Sequence, residues 1–405
     1  MVPSIGSGSD KKQRGQFFTA EADYIFQDFE KLVKGKKVSD PFAGSGDLLR
    51  WAKKNGARSV KGFEVDPKLA NAKSISQNDS LLNPKTYDFV VTNPPYLNVN
   101  KADKDTKEKY FRTHQFEDLY QLSIAAIMNS EEGIVIVPIN FLSAFNARGI
   151  RNLFFSRFEI DRMNYFRHQV FPDTTYNVVA FHYTRKRPGS QSYFSIKTNI
   201  FPERERTSVE LKQIFNWTIG GEIYEKLEYQ KNILGIHRLV EEDINEHKGR
   251  VPLRGAYNHV KTPHDVHVPE EFAQRLQSNI MFSRAIDAGS EDSRMGLDDI
   301  REYDIACLVS KPTSRHMIHL IAERPISLLE QEILIQSFNQ ELAALRKQHL
   351  SLFLTNYRDK DRKRISFDFV YKMLNYLYAR DVAPQSRYES VGTKKLNFGQ
   401  WSTVS

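Results

Sequence analysis

Apolar residues in the first 185 positions alternate between short continuous runs and helical spacing. The short runs predict strands at 36–40, 59–65, 74–77, 87–93 and 133–139. Helical spacing predicts helices near 21–34, 47–56, 116–130 and 140–156. Two further strands, 159–166 and 176–185, predict an antiparallel hairpin at one edge. This alternation is typical of an α/β fold with a mostly parallel sheet and helices on both faces.

The alternation stops after residues 186–192. Beyond them, strand-like runs, polar loops and one long helical pattern at 326–350 predict a mixed α+β domain. We therefore expect a flexible leader at 1–13, an α/β domain at 14–190 and a second domain at 191–405.

Charge and composition narrow the function classes. The net charge is +8, and residues 1–200 hold 29 Lys and Arg against 21 Asp and Glu, whereas residues 201–405 hold 29 of each. An excess of positive charge favours a polyanionic partner. The single cysteine, Cys307, excludes an intrachain disulfide and reads as a strand core residue. There is no apolar run of membrane-spanning length and no secretory signal, so we expect a soluble, intracellular protein that is not secreted.

A glycine-rich turn, DPFAGSG at 40–46, follows the first predicted strand. In open parallel sheets ligands bind beyond the carboxyl ends of the strands, and glycines let the backbone approach them closely. The turn is neither a Walker loop nor GxGxxG. Asp40 is placed to face an ammonium group; the alternative is a strand-to-helix turn that binds nothing.

Acids also follow the next two predicted strands. Glu64 ends the second strand, where a carboxylate can accept hydrogen bonds from both hydroxyls of a ribose. Asp79 follows the third strand and can accept a hydrogen bond from the amine of an adenine ring. A solvated acid at a helix start is the alternative for Glu64, and Asp66 suits that N-capping role better.

The motif Asn93-Pro94-Pro95-Tyr96 ends the fourth predicted strand. An aromatic amine is a poor nucleophile because its lone pair is delocalised into the ring. The side-chain oxygen of Asn93 and the carbonyl of Pro94 can accept its two N–H groups and free that lone pair. Two prolines make the loop rigid, and Tyr96 offers a face for stacking on a base. This four-letter string also occurs by chance, so its position at the strand end carries the interpretation.

In this order, the motifs resemble those of the amino-type N6-adenine DNA methyltransferases, in the subgroup whose cofactor motifs precede the catalytic motif. The resemblance covers roughly residues 14–186 and includes GQFFT at 15–19. It implies a Rossmann-like class I methyltransferase sheet and S-adenosyl-L-methionine as cofactor, with S-adenosyl-L-homocysteine as product and no metal. It also implies a C-terminal target recognition domain. Ala20 departs from the family, in which proline is common after Thr19, and DLL follows the glycine-rich turn in place of a strict family string.

The resemblance assigns two sets of site residues. The cofactor contacts are Phe18, Thr19, Asp40, Pro41, Ala43, Gly44, Gly46, Glu64, Val65, Asp79 and Ser80. The catalytic set is Asn93, Pro94, Pro95 and Tyr96, with Phe171 as a second aromatic against the target base.

Double-stranded DNA is the expected partner, with the target adenine flipped out of the duplex. A polar, charged loop is predicted at 97–115. The candidate DNA contacts are Lys101, Lys104, Lys107, Lys109 and Arg112 in that loop, and Arg358, Lys360, Arg362, Lys363 and Arg364 near the C-terminus. For both groups the alternative is a solvated surface. The histidines at 259–269 and 315–320 do not match a metal motif.

Two alternatives stay open at this point. Methyltransferases for glutamine side chains or guanine amines in protein or RNA use the same Asn-Pro-Pro-aromatic logic, because those amines pose the same lone-pair problem. The chain could also be a modification subunit that works only with partner chains. A separately acting restriction endonuclease of a restriction-modification system is a further expected partner.

Overall fold

The computed structural model describes residues 21–70, 74–112, 116–171, 176–287, 295–312, 314, 316–356 and 362–383. Contacts divide the chain into two compact units. Unit 1 comprises Met1–Gly221 and Leu352–Asp361, and unit 2 comprises Glu222–Ser351 and Arg362–Ser405.

Unit 1 is built on one nine-stranded sheet. Its strands are β1 Lys37–Asp40, β2 Ser59–Glu64, β3 Ile75–Gln77, β4 Tyr87–Thr92, β5 Ser130–Pro138, β6 Phe158–Phe166, β7 Val178–Arg185, β8 Tyr193–Phe201 and β9 Glu205–Lys212. Their order across the sheet is β3-β2-β1-β4-β5-β7-β6-β8-β9.

The first five strands are parallel, and β7 runs antiparallel between β5 and β6. The chain moves outward from β1 to β3 and then returns to β4 on the other side of β1. This places a topological switch point between β1 and β4, where open sheets bind their ligands. The predicted mixed α/β fold with a large, mostly parallel sheet is confirmed.

The helices of unit 1 are short. They are α1 Ala22–Ile25, α2 Asp47–Lys54, α3 Lys104–Thr106, α4 Leu119–Ala126, α5 Asn140–Ser143 and α6 Arg148–Phe155, with 3-10 turns at Glu30–Leu32, Val99–Lys101, Phe145–Ala147 and Gln213–Phe215 and a π turn at Lys107–Phe111. The helix pattern at 21–34 is interrupted because Asp28 adopts a left-handed φ of 71°.

The core of unit 1 lies where the central strands are covered on both faces. Residues 133–138 of β5 are all buried, and so are the last four residues of β4. Strands buried on both faces read as continuous apolar runs, which is why the sequence pattern predicts these strands. Gly133 is required by close packing, because a Cβ there would lie 2.6 Å from the carbonyl oxygen of Val90.

Two features of unit 1 differ from the sequence-based expectation. The hairpin of β6 and β7 is not the edge of the sheet, because β8 pairs with β6 and β9 pairs with β8. The chain consequently divides after Gly221 rather than after residue 190. The polar stretch expected to be a loop at 97–115 is helical over most of 99–111.

Unit 2 has two small sheets. Strands β10 His237–Arg238, β16 Met317–Ile321, β13 Met281–Arg284 and β14 Gly296–Asp299 form one sheet in that order, and β12 Pro263–Val268, β11 Val251–Tyr257 and β15 Cys307–Val309 form the other. The remaining short strands are β17 Thr355–Asn356, which lies in unit 1, and β18 Lys363–Arg364. The remaining helices are α7 Gly221–Glu228, α8 Glu241–Glu246, α9 Glu270–Gln277, α10 Leu328–Gln348 and α11 Phe367–Leu377, with a 3-10 turn at Ile300–Tyr303 and a π turn at Tyr378–Val382.

The longest helix, α10, agrees with the helical pattern predicted at 326–350. It begins with a capping box, in which Ser327 Oγ accepts from the Glu330 N–H at 3.2 Å and Glu330 Oε2 accepts from the Ser327 N–H at 2.7 Å. Cys307 is fully buried in β15, and burial raises the pKa of its thiol to about 12. It is a core residue, as predicted.

Candidate functional site at the carboxyl ends of the parallel strands

Acidic side chains lie at or just beyond the carboxyl ends of three neighbouring strands. Asp40 is the last residue of β1, Glu64 is the last residue of β2, and Asp79 comes two residues after β3. Because β1, β2 and β3 are parallel neighbours, these ends meet at one edge of the sheet. The structure therefore brings together the three carboxylates that the sequence pattern indicated.

Asp40 is buried, and hydrogen bonds fix its carboxylate. Its Oδ1 accepts from the Thr92 hydroxyl at 2.6 Å and from the Phe42 N–H at 3.0 Å. Burial raises the pKa of Asp40 to about 7, partly opposed by those two hydrogen bonds and assisted by the nearby charge of Glu64. Asp40 is thus poised to ionise near neutral pH, and a cationic ligand group would favour its charged form.

Glu64 is held by backbone donors on both oxygens. Its Oε2 accepts from the Gly44 N–H at 2.8 Å, and its Oε1 accepts from the Asp66 N–H at 2.9 Å. Burial raises the pKa of this carboxyl, and these backbone donors oppose the rise.

The glycine-rich turn owes its shape to this contact and to its two glycines. Gly44 and Gly46 have φ of 51° and 80°, in the left-handed region that favours glycine. The Ala43 N–H donates to the carbonyl of Phe63 at 2.8 Å, which ties the turn to β2. Pro41 and Ala43 are buried beneath the turn, whereas Gly44 is half-buried.

Asp79 accepts hydrogen bonds from residues that the sequence did not place near it. Its Oδ2 lies 2.9 Å from the Tyr110 hydroxyl and 2.8 Å from Lys109 Nζ. Val65 is half-buried beside this edge. Ser80 is buried, and its Oγ accepts from the side-chain amide of Asn78 at 3.1 Å.

The Asn-Pro-Pro-Tyr loop begins directly after β4. Asn93 and Pro94 are buried, and Pro95 is half-buried. Since β4 pairs with β1, and the Thr92 hydroxyl is hydrogen-bonded to Asp40, Asn93 lies next to the strand end that carries Asp40, the nearest of the three carboxylates. The sequence pattern predicts that the glycine-rich turn and the Asn-Pro-Pro-Tyr loop lie at the same edge of the sheet. The pairing of β1 with β4 makes them neighbours.

Tyr96 supports Asn93 rather than presenting an exposed ring. Its hydroxyl lies 2.7 Å from Asn93 Oδ1 and 2.9 Å from the carbonyl oxygen of Ile136. The ring is only 7% exposed and meets Tyr120 edge-on, with ring centroids 6.4 Å apart. Burial holds the pKa of Tyr96 well above its usual value, so its hydroxyl stays a proton donor. The face of the Tyr96 ring that was predicted to stack on a base is therefore buried in this structure.

Phe171 is also buried, with 1% of its surface exposed. The Gln169 side-chain amide donates to its carbonyl at 2.9 Å. A face-to-face contact with a base would require both Tyr96 and Phe171 to move. Thr92, Tyr110 and Tyr120 are the neighbours that sequence reasoning missed, and only Thr92 gave a signal, as a polar residue inside an apolar strand. Lys109 was predicted to contact DNA, whereas its ammonium pairs with Asp79.

The basic residues that were predicted to contact DNA differ in how far they are buried. Lys101, Lys104, Lys107 and Arg112 are exposed, and Lys109 pairs with Asp79. In unit 2, Arg362 and Arg364 are half-buried, and the Arg364 guanidinium lies 5.9 Å from the ring centroid of Phe367. Lys363 is 2% exposed, so its predicted place on a DNA-binding surface is corrected: its ammonium is buried in the fold. Phe18, Thr19, Arg358 and Lys360 lie outside the described residues.

The part of the chain that contains this site matches a known protein family. Residues 16–171 match the model of the Eco57I restriction-modification methylase. The matched range, which is less than half of the chain, belongs to that methylase family. The matched range contains every catalytic and cofactor-site candidate named above, so Asp40, Glu64, Asp79 and Asn93 are residues of a methylase domain of the restriction-modification type.

Comparison with whole proteins shows a similarity of fold alone. No curated protein sequence matches the chain. The structure of the type IIL restriction-modification enzyme MmeI in complex with DNA is similar, with 12% identity, 91% of this chain and 69% of that chain covered, and a TM-score of 0.51. That similarity shows the fold.

Two other matches are more distant. A modification subunit of a type I restriction enzyme from Vibrio vulnificus has 16% identity, covers 63% of this chain and has a TM-score of 0.38. The type IIG restriction endonuclease BpuSI has 11% identity, covers 87% of this chain and 58% of that chain, and has a TM-score of 0.41. This chain spans 59% of the length of the Vibrio subunit.

Metal-binding clusters and membrane-spanning helices are both absent from the described residues. No group of three or more His, Cys, Asp or Glu among them is arranged to hold a metal ion. Within the same ranges, no helix has the length and apolar character required to cross a bilayer.

Proposed function

We propose that this chain is an S-adenosyl-L-methionine-dependent DNA methyltransferase that modifies the exocyclic N6 amine of adenine in duplex DNA by direct transfer. The observation that carries the proposal is the hydrogen bond of 2.6 Å between Thr92 and Asp40. It joins the strand that ends in the Asn-Pro-Pro-Tyr loop to the strand that ends in the first of three carboxylates. A cofactor held by the carboxylates and an amine held by Asn93 would therefore meet.

The residues present fit this cofactor. S-adenosyl-L-methionine offers three separated donor groups: an ammonium, the two ribose hydroxyls and the adenine amine. The chain offers Asp40, Glu64 and Asp79 in the same order along one sheet edge. When bound, the cofactor supplies a methyl group on a positively charged sulfur. Asp40 would bind the ammonium, Glu64 the ribose and Asp79 the adenine amine.

Asn93 and Pro94 would orient the target amine. An amide oxygen can accept two hydrogen bonds, so the Tyr96 hydroxyl and a substrate N–H are compatible on Asn93 Oδ1. The hydroxyl of Tyr96 fixes the direction of that oxygen before the substrate arrives. Placing acceptors in advance lowers the reorganisation needed at the moment of reaction, which is electrostatic catalysis without a covalent intermediate.

A target base in a duplex must be extruded to reach this buried loop, at a cost of roughly a few kcal/mol. The exposed Lys101, Lys104, Lys107 and Arg112 directly follow the catalytic loop and would contact the phosphate backbone. We assign target recognition to unit 2, where Arg362 and Arg364 stay candidates for DNA contact.

The test is a transfer assay with three substrate classes. The full chain is incubated with cofactor labelled in the methyl group and with duplex DNA, transfer RNA or a protein mixture. Label recovered from DNA as N6-methyladenine supports the proposal, whereas label confined to RNA or protein overturns it.

A matched pair of variants ties the result to the site. Asn93→Ala should abolish transfer, and Asn129→Ala, which changes an exposed asparagine just before β5, should leave it intact. If the chain transfers nothing alone but becomes active with partner chains of a restriction-modification complex, the partner-dependent alternative holds.

A further inference from the structure

The carboxylate proposed to read the adenine amine already has two strong donors from within the chain. Asp79 Oδ2 accepts from the Tyr110 hydroxyl at 2.9 Å and from Lys109 Nζ at 2.8 Å. Its other oxygen faces the Leu81 N–H at 3.3 Å. A carboxylate oxygen has about two acceptor sites, so these two donors saturate Oδ2.

The two donors belong to one helical segment, residues 99–111, that starts three residues after Tyr96. Its base is fixed: the Val99 N–H donates to the Glu117 carbonyl at 2.7 Å, and the Leu119 N–H donates to the Leu97 carbonyl at 2.9 Å. A small apolar cluster of Leu97, Ala102, Phe111, Leu119 and Leu122 packs beneath it.

Polar contacts hold the far end of the segment. Lys109 Nζ lies 4.8 Å from the Tyr110 ring centroid as well as on Asp79, so the two side chains form one unit with the carboxylate. Burial raises the pKa of Tyr110, which keeps its hydroxyl a neutral donor. The Tyr110 ring also packs against the apolar cluster, and Phe111 belongs to that cluster. The contacts that can exchange are therefore those of the Tyr110 hydroxyl and the Lys109 ammonium.

We propose that Tyr110 and Lys109 are residues of the cofactor site, where they compete with the adenine amine of the cofactor for the carboxylate of Asp79. This inference rests on the proposed function, because it takes Asp79 as the adenine acceptor. At Oδ2 the amine gains a hydrogen bond only when the Tyr110 hydroxyl or the Lys109 ammonium leaves. Binding of the cofactor amine at this oxygen therefore displaces one of these two donors from Asp79.

Competition predicts a gain of affinity when the competitor is removed. Tyr110→Phe deletes one hydroxyl, and Lys109→Gln deletes the charge. Each should tighten binding of S-adenosyl-L-homocysteine about two- to tenfold, the range of one hydrogen bond. Calorimetry of the full chain without DNA measures this directly. Glu108→Gln on the same exposed face and Lys37→Gln at the opposite sheet edge are controls expected to leave affinity unchanged.

A ligand without the amine sharpens the test. The analogue with unsubstituted purine in place of adenine has only a C–H where the amine stood, and its ring has no N–H. Tyr110→Phe should not tighten binding of this analogue, because it has no N–H donor to compete for Asp79. Equal tightening of both ligands, or no tightening of either, would overturn the inference.

Asp79→Asn separates this inference from the proposed function. If Asp79 reads the adenine amine, the variant binds the adenine ligand more weakly than the wild type, and adding Tyr110→Phe to it has no further effect. If Asp79→Asn leaves affinity unchanged, the assignment of Asp79 within the proposed function fails. If Asp79→Asn weakens binding of the adenine ligand while Tyr110→Phe and Lys109→Gln leave its affinity unchanged, Asp79 stays the adenine acceptor. Only the inference that Tyr110 and Lys109 compete for it is then overturned.

Discussion

The hydroxyl of Thr92 donates a hydrogen bond of 2.6 Å to Oδ1 of Asp40, across two parallel strands. Thr92 immediately precedes Asn93, the proposed catalytic asparagine, and Asp40 opens the glycine-rich turn. This contact opposes the effect of burial, which raises the pKa of Asp40 to about 7 even with the hydrogen bond in place. The ionisation of Asp40 is therefore coupled to the strand that carries the Asn-Pro-Pro-Tyr loop.

The first prediction concerns pH. An ammonium group binds ionised Asp40, so affinity for S-adenosyl-L-homocysteine should rise about tenfold per unit as pH increases toward about 7, and then level off. Above the pKa of the ligand's own α-amino group, affinity should fall again, because the ligand loses its proton. Calorimetry between pH 5 and 9 gives the profile.

Thr92→Val tests the cause of that profile. The variant removes a hydrogen bond that lowers the pKa of Asp40, so the rising limb should move to higher pH. Thr207→Val on the distant strand β9 is the matched control. An identical profile for all three proteins would show that Asp40 does not titrate in this range.

The second prediction concerns Tyr96. Tyr96→Phe removes the hydroxyl that orients Asn93 Oδ1 but keeps the ring. We expect kcat to fall about tenfold, the worth of one hydrogen bond that positions a reacting group, while affinity for the cofactor product is unchanged. Single-turnover transfer measures this effect.

Tyr96→Ala distinguishes positioning from stacking. If the ring also stacks on the extruded base, the alanine variant should lose affinity for duplex DNA in addition to kcat. If the phenylalanine variant has wild-type kcat, the hydroxyl has no positioning role.

The third prediction concerns Glu64. Glu64→Gln keeps one acceptor oxygen for the backbone donors at Gly44 and Asp66, whereas Glu64→Ala removes both. We expect the glutamine variant to weaken cofactor binding by about 1–3 kcal/mol with little change in the free energy of unfolding. The alanine variant should lose stability as well, because two N–H groups lose their partner.

Denaturant unfolding alongside calorimetry checks both effects of the Glu64 substitutions. Glu159→Gln on β6 serves as the control. Equal loss of binding and of stability in the glutamine variant would mean that Glu64 acts only on the shape of the turn.

The fourth prediction contrasts two lysines. Lys107 is exposed in the segment after the Asn-Pro-Pro-Tyr loop, and Lys363 is 2% exposed. Lys107→Gln should weaken DNA binding evenly across sequences and reduce the slope of log affinity against log salt by about one. Lys363→Gln should leave that slope unchanged and instead lower the free energy of unfolding.

Titration of fluorescent duplexes at several salt concentrations compares the two lysines. A salt slope that changes for Lys363→Gln and not for Lys107→Gln would reverse the assignment.

By itself, the sequence determined the strands of the parallel sheet and the residues at their ends. Strands buried on both faces are continuous apolar runs, and ligand-binding residues in such sheets follow directly after them, so local pattern contains this information. For this reason the pattern alone indicates Asp40, Glu64, Asp79 and Asn93.

Only the tertiary structure decided what those residues contact. The Tyr110–Asp79 and Tyr96–Ile136 contacts join positions 31 and 40 residues apart, and no local periodicity encodes such pairs. It also decided that 99–111 is helical and that Lys363 is buried, although both stretches are charged. Burial depends on which distant segments pack together, because a charged side chain can be covered by neighbours that its own sequence does not reveal.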